Sequence, residues 1–335
     1  MNAHAPALAD KSCLVIADVG SNHGQDLQRA KDTIAAAKAS GANAVKFQSL
    51  RLDRLWHDPT PQIRKLHNAI DLEESWHLPL MEHARKCGIE FFSSPTYLGA
   101  VDILEAIGVR FYKLASAQSG TFPQMVERVA ATGKFVIIST GISDYARVSQ
   151  TVAILEKAGS PYAVLHCNSI YPTPPEKVHL PRMLAYKAMF GCPVGFSDHT
   201  LGWHIPVAAV AMGASIIEKH FTLDRKVDTP DLAIAITPDE LKEMVRCIRE
   251  TEAATRMLPR LCLEPEEAAF REAIRYRLVL REGVSAGQPV KDGIFDFLRH
   301  PGGIDAADLP QLQGARFSKD LPSHHVLLWN DINPM

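Results

Sequence analysis

Two lysines stand inside short apolar runs of the sequence, where a charged side chain is unexpected. Lys46 lies in AVKFQ and Lys113 in FYKLAS, and such runs are typical of strands buried on both faces. A lysine there could extend its ammonium group to the rim of the fold. Burial of an unpaired ammonium is costly, however, and lysine binds phosphate as a compact charge. We therefore interpret the two lysines as part of an anion-binding site.

Serine hydroxyls accompany the lysines at the ends of the same kind of apolar run. They belong to Ser94, Ser116, Ser139 and Ser169. A hydroxyl donates a hydrogen bond to an anion without adding charge. Two lysines with these neutral donors match a small ligand that carries two or three negative charges.

Two histidines end successive apolar runs further along the chain. They are His199 and His220, with Asp198, Glu218 and Asp231 close by in the sequence. Two imidazoles with open positions for substrate oxygens suit Mn, Fe, Co or Zn better than Ca, and such an ion can polarise a carbonyl. Histidines that transfer protons are the alternative. The spacing favours a divalent metal and leaves proton transfer open.

Two loop residues are candidates for contact with a sugar. Asp231 lies in KVDTPDLAIAI, where its carboxylate is either solvated or accepts hydrogen bonds from sugar hydroxyls. Tyr171 begins YPTPP, whose prolines predict a rigid, extended segment. That segment is either a plain connection or a support that holds Tyr171 over a site. The residues alone do not separate these alternatives.

Eight apolar runs, each typical of a buried strand, alternate with helical segments over the first three quarters of the chain. The predicted strands are Leu14–Asp18, Ala44–Gln48, Glu90–Ser94, Arg110–Ala115, Phe135–Thr140, Ala163–Cys167, Val194–Ser197 and Ser215–Phe221. The predicted helices are Asp26–Ser40, Glu73–Cys87, Leu98–Ile107, Phe122–Thr132, Ala146–Ala158, His179–Phe190, Ile205–Met212 and Pro238–Arg256. Eight such units predict a (β/α)8 TIM barrel, in which reactive side chains gather at the carboxyl ends of the strands.

The competing architecture is a doubly wound open sheet. It would usually show a glycine-rich fingerprint after its first strand. The turn after the first predicted strand reads GSNHG instead, at residues 20–24, so the barrel is favoured.

The sequence pattern changes after Arg256. Residues 257–273 predict a linker between a catalytic barrel domain at residues 1–256 and a small β-rich domain at residues 274–335. The predicted strands of the small domain are Arg277–Arg281, Pro289–Val290, Phe295–Leu298 and His325–Leu328. A domain of about 60 residues has only a thin core, so we expect it to dock onto a barrel.

Composition restricts the compartment and the partners. The formal net charge of −2 gives no general attraction to nucleic acid or to an anionic membrane. Six scattered cysteines without a C-x-x-C pair predict buried free thiols in a reducing compartment. No run approaches the roughly 20 apolar residues of a membrane span, and no signal-peptide pattern is present. The sequence therefore predicts a cytoplasmic protein.

Motifs in order along Ile16–Asp231 resemble the sialic acid (nonulosonic acid) synthase family. They are IADVGSNHGQDLQRAK, NAVKFQ, FFSSP, FYKLAS, VIISTG, LHCNSIYPTPPE, GFSDHTLG and ASIIEKHFTLDR. The combination of SDHTLG, EKHFTLDR and YPTPPE is highly specific. The later VLREGVSAGQPV and LRHPGGI resemble the SAF (antifreeze-like) domain of that family.

The resemblance implies an enzyme that condenses phosphoenolpyruvate with an amino-sugar aldehyde such as N-acetylmannosamine and releases phosphate. It implies a metal, usually Mn2+, at His199 and His220, and contacts of Tyr171 and Asp231 with the acceptor sugar. The residues that it assigns to phosphoenolpyruvate are Lys46, Ser94, Lys113, Ser116, Ser139, Ser169 and Ser197.

The SAF-like segment carries one further residue of this kind. Arg299 resembles the family arginine that reaches the acyl group of the sugar from the partner subunit, which implies a domain-swapped homodimer. The family has this arginine directly before a proline, whereas His300 separates Arg299 from Pro301 in this chain.

Two positions depart from the family pattern, which has glutamate at both. Asp18 keeps the charge on a shorter side chain, and Gln118 loses it and so cannot act as a general base. Both stay candidate catalytic residues. We hypothesise that the enzyme uses an unusual acceptor, or that Asp18, His23 or metal-bound water transfers the proton.

Two other functions stay open at this point. A related synthase that acts on sugar phosphates would need further cationic residues, for which Arg110 and Arg225 are the candidates. A non-catalytic binding relative would fit the lost carboxylate at Gln118. The retained lysines and histidines argue against that second function.

Overall fold

The computed structural model describes residues 12–256 and 263–333. The chain divides into two compact units, Met1–Arg256 and Met257–Met335. None of the helices described in either unit is long and apolar enough to cross a membrane.

Eight parallel strands form the framework of the first unit. They are β1 (Leu14–Asp18), β2 (Ala44–Ser49), β3 (Glu90–Pro95), β4 (Phe111–Leu114), β5 (Phe135–Ser139), β6 (Tyr162–Cys167), β7 (Val194–Asp198) and β8 (Ile216–His220). Hydrogen bonds join neighbours in the order β3-β2-β1-β8-β7-β6-β5-β4, and β3 packs beside β4 to complete the ring. With helices between the strands, this is a TIM barrel, and the fold prediction is confirmed.

Helices surround this barrel. They are α1 (Leu27–Ala39), α2 (Leu52–Leu55), α3 (Pro61–Ile70), α4 (His77–Cys87), α5 (Leu98–Ile107), α6 (Ser116–Thr121), α7 (Pro123–Ala130), α8 (Tyr145–Lys157), α9 (Pro181–Phe190), α10 (His204–Ala211) and α11 (Pro238–Ala254). Local side chains determine several of their starts. The carboxylate of Asp26 accepts hydrogen bonds from the first backbone amides of α1, and Asp144 does the same for α8.

Strand alternation divides the apolar side chains between two cores. In β1, Leu14 and Ile16 belong to the core inside the barrel, whereas Val15 and Ala17 pack outward against the helices. Asp18 continues the inward series at the carboxyl end of the strand. The same alternation turns the last inward residue of each strand toward one end of the barrel.

Three short helices of the first unit are absent from the sequence prediction. Residues 50–72 connect β2 to the segment before α4 and contain α2 and α3, and α6 directly follows β4. In α3, Ile63, Leu66 and Ile70 recur at helical spacing, although the helix buries only His67. α2 and α6 are too short to show a helical period.

The second unit is small and rich in β-structure. α12 (Pro265–Ile274) precedes β9 (Tyr276–Leu280), which pairs antiparallel with β10 (Phe295–Arg299), and β11 (Arg316–Phe317) pairs with β12 (Ile332–Asn333). Buried apolar residues from these segments form its own core.

Three expectations for this unit need correction or restriction. Pro289–Val290 and His325–Leu328 are not strands, because each makes only an isolated bridge, Pro289 to Arg316 and Val326 to Val279. α12 occupies the later part of the predicted linker, and residues 257–262 lie outside the described residues.

The five cysteines within the described residues are free, as predicted, but they are not all buried. Cys13, Cys167 and Cys192 are buried, whereas Cys87 and Cys247 are partly exposed. Cys87 is the last residue of α4. Cys247 lies on α11, where its side chain faces the polar side chain of Glu243. Cys262 lies outside the described residues.

We expect Gly195→Ala to destabilise the barrel strongly. A methyl group at Gly195 would lie 2.2 Å from the carbonyl oxygen of Ile216 and 2.7 Å from the side chain of Leu165. Forcing an extra methyl group into such a packed core costs about 1–3 kcal/mol. The urea unfolding midpoint should fall accordingly.

Gly99→Ala is the matched control, because a methyl group there meets only the Tyr97 ring at 3.6 Å. It should leave the midpoint unchanged or raise it slightly. Equal midpoints for the two variants would contradict the close approach of β7 to β8 at Gly195.

Candidate active site

A pocket of about 260 Å3 opens at the carboxyl ends of the barrel strands. The predicted site residues that line it are Asp18, Lys46, Lys113, Ser116, Gln118, Ser139, Ser169, Tyr171, Ser197, His199 and His220. They come from seven of the eight strands or from the loops that follow them. The fold thus brings together residues as distant in the chain as Asp18 and His220.

Four charged side chains meet at the base of this pocket. Lys46 Nζ lies 2.7 Å from Asp18 Oδ2 and 3.3 Å from Glu218 Oε2, and Lys113 Nζ lies 3.5 Å from Glu218 Oε1. Each of these side chains exposes 5% of its surface or less. Both lysines therefore point into the barrel and do not extend to the rim.

The two lysines differ in how well their charge is compensated. Burial alone would raise the pKa of Glu218, but Lys113 and Lys46 lower it to about 2. Burial alone would lower the pKa of Lys46, but Asp18 and Glu218 raise it above its usual value. Burial lowers the pKa of Lys113 below its usual value. Glu218, its main counter-charge, offsets this effect only in part. A bound anion would therefore stabilise the charged form of Lys113 most.

Serine hydroxyls lie around these charges with few protein partners. The hydroxyl oxygens of Ser94 and Ser139 are buried and have no hydrogen-bond partner among the described residues. Ser116 and Ser169 converge above Gly141, where a β-carbon would lie within 2.6 Å of both hydroxyls. Ser139 lines the pocket and Ser94 does not. Buried polar atoms usually have partners, so the unpaired Ser139 hydroxyl indicates a ligand-binding surface.

Ser197 differs from the other serines. Its hydroxyl donates a hydrogen bond of 2.8 Å to Glu218 Oε1 and so already has a protein partner. Ser197 therefore fixes Glu218 beside Lys113.

Two imidazoles and an aromatic ring form the opposite wall of the pocket. The ring centroids of His199 and His220 are 5.4 Å apart, close enough for both to bind one ion. The Tyr171 ring stacks on His199 at 4.1 Å, and its edge faces His220 at 6.1 Å. The loop that begins at Tyr171 thus covers the two histidines.

The histidine nitrogens fit a metal with two protein ligands. Within residues 12–256 and 263–333, no three His, Cys, Asp or Glu side chains form a ready metal cluster. His199 Nδ1 lies 2.7 Å from the carbonyl oxygen of Asn168, which can only accept, so in the neutral ring Nε2 carries the lone pair. His220 Nδ1 is buried and has no hydrogen-bond partner in the described part of the chain. Burial also lowers the pKa of His220, which favours the neutral, metal-binding form.

Asp231 lies behind the histidines and is anchored to the first loop. Its Oδ2 accepts hydrogen bonds from the backbone amide and the hydroxyl of Ser21, at 2.8 and 2.7 Å, and lies 3.9 Å from His220 Nδ1. Asp18 approaches the same imidazole from the other side, with Oδ2 at 3.7 Å from His220 Nε2. The two carboxylates therefore flank His220.

Two residues that the sequence placed near the site point away from the pocket. His23 packs its ring against Phe47 and Trp76 in the outer layer and does not line the pocket, so it is a poor candidate for proton transfer. Asp198 faces outward because alternation in β7 turns Ser197 inward. It forms a fully buried ion pair of 2.7 Å with Lys219.

Glu218 and Cys167 also line the pocket, although the sequence named Glu218 only as a neighbour of the histidines and Cys167 only as one of the free cysteines. Glu218 bridges the two lysines, and the alternation of Ile216, Glu218 and His220 in β8 could have identified it. Cys167 lines the pocket with its sulfur 3.8 Å from His199 Nδ1. Nothing in its sequence context separates it from the other free cysteines.

Arg299 belongs to the second unit, at the end of β10. Its guanidinium group lies 5.4 Å from the centre of the Tyr276 ring on the paired strand. The neighbouring His300 is engaged by its own turn, where Nδ1 lies 2.7 Å from the carbonyl oxygen of Gly302.

Comparisons with known proteins agree on one family. Residues 33–257 match the NeuB family. The chain is 33% identical over 350 residues to the N,N'-diacetyllegionaminic acid synthase of Legionella pneumophila. That alignment covers 99% of this chain and 98% of that protein. It is 31% identical over 323 residues to the N-acetylneuraminate-9-phosphate synthase of Mus musculus, covering 91% and 88% of the two chains.

A solved structure gives the same result. The N-acetylneuraminic acid (sialic acid) synthetase of Leptospira borgpetersenii, crystallised in complex with citrate, superposes with a TM-score of 0.72. The match has 32% sequence identity and covers 78% of this chain and 92% of that chain.

We expect Lys219→Met to destabilise the protein, because it leaves Asp198 charged, buried and unpaired. Removing one partner of a buried pair costs about 3–5 kcal/mol. Adding Asp198→Asn should recover part of the loss, since no unpaired charge remains and the amide oxygen still accepts from the Thr200 amide. Urea unfolding of the single and double variants measures both effects.

Arg246→Met is the control for this test, because its ion pairs with Glu243 and Glu250 are exposed. It should change the free energy of unfolding by no more than about 1 kcal/mol. A Lys219→Met variant as stable as Arg246→Met would refute the buried pair.

Proposed function

The chain belongs to the NeuB family, and we propose that it condenses phosphoenolpyruvate with the open-chain aldehyde of an N-acyl amino sugar. It is an enzyme of the nonulosonic acid synthase group, and these enzymes are transferases that form a carbon–carbon bond. One observation carries the proposal for the donor substrate. Lys46 and Lys113 lie buried at the base of the pocket beside hydroxyls that have no partner among the described residues.

Phosphoenolpyruvate matches this part of the pocket in charge and size. Its carboxylate and phosphate need cationic and neutral donors within a few ångströms, which the lysines and Ser94, Ser116, Ser139 and Ser169 supply. Lys113 is the less compensated lysine, so it gains most from the anion. Glu218 lies between the two lysines and contacts both before the substrate binds.

The reaction then follows from the arrangement of the two substrates. Carbon 3 of phosphoenolpyruvate forms a bond to the aldehyde carbon, whose oxygen takes up a proton. Water adds to carbon 2 with loss of a proton, and phosphate leaves when the tetrahedral centre collapses to a ketone. Lys46 and Lys113 hold the phosphate and carboxylate throughout, and alignment of two substrates supplies much of the rate.

His199 and His220 are the proposed metal ligands, with Mn2+ as the proposed ion. A divalent cation there would polarise the carbonyl of the acceptor. Tyr171 and Asp231 border the same imidazoles and are the proposed contacts for the hydroxyls and acyl group of the sugar. Asp18, between Lys46 and His220, is the carboxylate best placed to accept a proton on the acceptor side.

A phosphorylated acceptor has less support from the residues named for it. Arg110 pairs with Glu90 and precedes β4, so it lies at the barrel end opposite to the pocket. Arg225 pairs with Glu240 and donates to the carbonyl oxygens of Leu232 and Ala235. Neither guanidinium group is free for a second phosphate, so we favour an unphosphorylated sugar.

The second unit completes the proposal. We assign it as a SAF-like domain and place the domain boundaries at 1–256, 257–273 and 274–335. Arg299 is the better candidate to reach the acyl group in a partner subunit of a domain-swapped homodimer, because His300 is held by its own turn. The free cysteines favour the cytoplasm as the compartment.

Lys113→Met should impair the use of phosphoenolpyruvate. Loss of a hydrogen bond to a charged group costs about 1.5–3 kcal/mol, so kcat/KM for phosphoenolpyruvate should fall by roughly 10- to 150-fold. Phosphate release with a saturating amino sugar, and mass spectrometry of the product, measure the effect. Lys157→Met, on the exposed end of α8, is the control. An unchanged kcat/KM in Lys113→Met would contradict the assignment of the anion site.

Metal removal should abolish turnover reversibly. After dialysis against a chelator, Mn2+ should restore activity better than Ca2+, because imidazole ligands disfavour calcium. His220→Ala removes a proposed direct ligand. The affinity for Mn2+ should therefore fall by more than the ~10–100-fold that is lost when a residue supporting a ligand is removed. Electron paramagnetic resonance of bound Mn2+ reports this independently of activity. Full activity of the chelated enzyme, or wild-type Mn2+ affinity in His220→Ala, would exclude the histidine site.

A further inference from the structure

A buried ion pair lies directly behind the two histidines of the pocket. Lys219 Nζ lies 2.7 Å from Asp198 Oδ2, and neither side chain has exposed surface. Asp198 directly precedes His199 in the chain, and Lys219 directly precedes His220. Because side chains alternate along a strand, the pair faces the outer helices while both imidazoles line the pocket. The pair therefore adjoins the backbone of both histidines from the side opposite to the pocket.

Lys219 also binds the turn that carries His199. Its ammonium group donates a hydrogen bond to the carbonyl oxygen of Thr200. Asp198 Oδ1 accepts a hydrogen bond of 2.9 Å from the backbone amide of Thr200. A carboxylate that accepts from the amide two residues further on closes an Asx turn. One buried ammonium group thus holds the residues on both sides of His199.

This contact lies at the point where backbone pairing between the two strands ends. The last pair of the parallel ladder between β7 and β8 is Asp198 opposite Lys219. His199 lies one residue beyond this pair, so the ladder does not fix its distance from His220. The ring centroids of the two histidines are nevertheless only 5.4 Å apart. The side chain of Lys219 supplies the connection from β8 to the turn, through Asp198 and Thr200.

An ion pair is a poor choice at this place if stability is the only requirement. Withdrawing two charges from water costs free energy that their attraction often fails to recover, and an apolar pair of similar volume often stabilises a protein at least as well. Apolar side chains, however, can neither donate to the carbonyl oxygen of Thr200 nor accept from its amide. Directed hydrogen bonds to the turn are therefore what the charged pair contributes beyond packing.

We propose that Asp198 and Lys219 are positioning residues that fix the imidazole of His199 relative to that of His220. In this position His199 Nδ1 donates a hydrogen bond of 2.7 Å to the carbonyl oxygen of Asn168, so Nε2 keeps its lone pair. Removal of a group that orients a metal-binding imidazole from behind usually lowers the affinity for the metal. The inference rests on the proposed histidine site and adds two residues that do not line the pocket.

Two double variants of similar volume separate the hydrogen bonds to the turn from the charges. Asp198→Asn with Lys219→Met, the methionine variant, removes both charges and the donor to Thr200. The asparagine oxygen can still accept from the Thr200 amide. Asp198→Asn with Lys219→Gln, the glutamine variant, is equally uncharged but keeps an amide donor beside the turn.

The methionine variant should lose affinity for Mn2+ by about 10–100-fold, as measured by electron paramagnetic resonance. The glutamine variant should lose roughly 3- to 10-fold, because one neutral donor replaces only part of what the ammonium group binds. The affinity for phosphoenolpyruvate, measured by calorimetry without metal, should stay within about twofold in both variants. Lys46 and Lys113 lie on β2 and β4, away from the altered turn.

A second readout does not depend on a bound ion. Nitrogen-15 magnetic resonance of histidine-labelled, metal-free protein reports which ring nitrogen carries the hydrogen. His199, assigned by the loss of its signal in His199→Gln, should be the Nδ1–H tautomer in the wild type. In the methionine variant both tautomers should be populated, because the ring is no longer held against the carbonyl oxygen of Asn168. An unchanged His199 signal in that variant would contradict the positioning role.

Leu104→Ala is the control for a loss of stability alone. Leu104 is fully buried on α5, between β3 and β4, and these strands lie opposite β7 and β8 in the ring. The resulting cavity should lower the urea unfolding midpoint. The affinity for Mn2+ and the His199 tautomer should stay those of the wild type, since the turn after β7 is untouched.

The outcomes separate this inference from the proposed function. Wild-type affinity for Mn2+ in the methionine variant would overturn the inference, and if that variant does not fold, the same result in the glutamine variant would do so. Equal losses of affinity for Mn2+ and phosphoenolpyruvate would also overturn it, because the pair would then support only the barrel as a whole. If the wild type binds Mn2+ no better than His220→Ala, the proposed metal site fails, and the tautomer of His199 still tests the positioning pair.

Discussion

Four nearly dehydrated charges inside the barrel control the rest of the site. Lys46, Asp18, Glu218 and Lys113 must balance one another, because an isolated charge at this depth would be too costly. The balance is complete around Lys46 and incomplete around Lys113. A bound dianion is therefore more than an added ligand, since it completes the charge compensation of the protein interior.

Strand alternation explains how so few sequence positions build both the site and its support. In β8, Glu218 and His220 face the pocket while Lys219, between them, faces the helices. In β7, Ser197 faces the pocket and Asp198 faces outward. The inward residues line the pocket, and the outward ion pair joins β7 to β8. A shift of one residue in either strand would exchange these roles, so the outward ion pair also opposes such a shift.

The sequence predicted the barrel and much of the site because both depend on regular patterns. Buried strands with glycine-ended helices identify the fold, and polar residues at strand ends identify the pocket. The same reasoning did not reveal the outward direction of Asp198, the packing of His23 against aromatic rings, or the bridging position of Glu218. These depend on register and on contacts between distant segments, which no local pattern encodes. Helix α2 was missed because four residues are too few to show a helical period, whereas the apolar spacing of Ile63, Leu66 and Ile70 could have identified α3.

The missed α2 matters because it contributes to one wall of a second cavity, of about 760 Å3, that lies beside the catalytic pocket. Residues 50–72 connect β2 to the segment before α4 by a path much longer than an ordinary loop of the barrel, and α2 supplies Arg54 and Leu55 to that wall. The opposite wall comes from α5 and α6, which follow β3 and β4. In this fold the strands carry the common chemistry, and the loops at their carboxyl ends vary the substrate. The charges that we propose for phosphoenolpyruvate lie on strands, whereas Gln118 and the second cavity lie beyond them. On the proposed function, substitutions in these loops would change the acceptor without disturbing the buried charges on which the barrel interior depends.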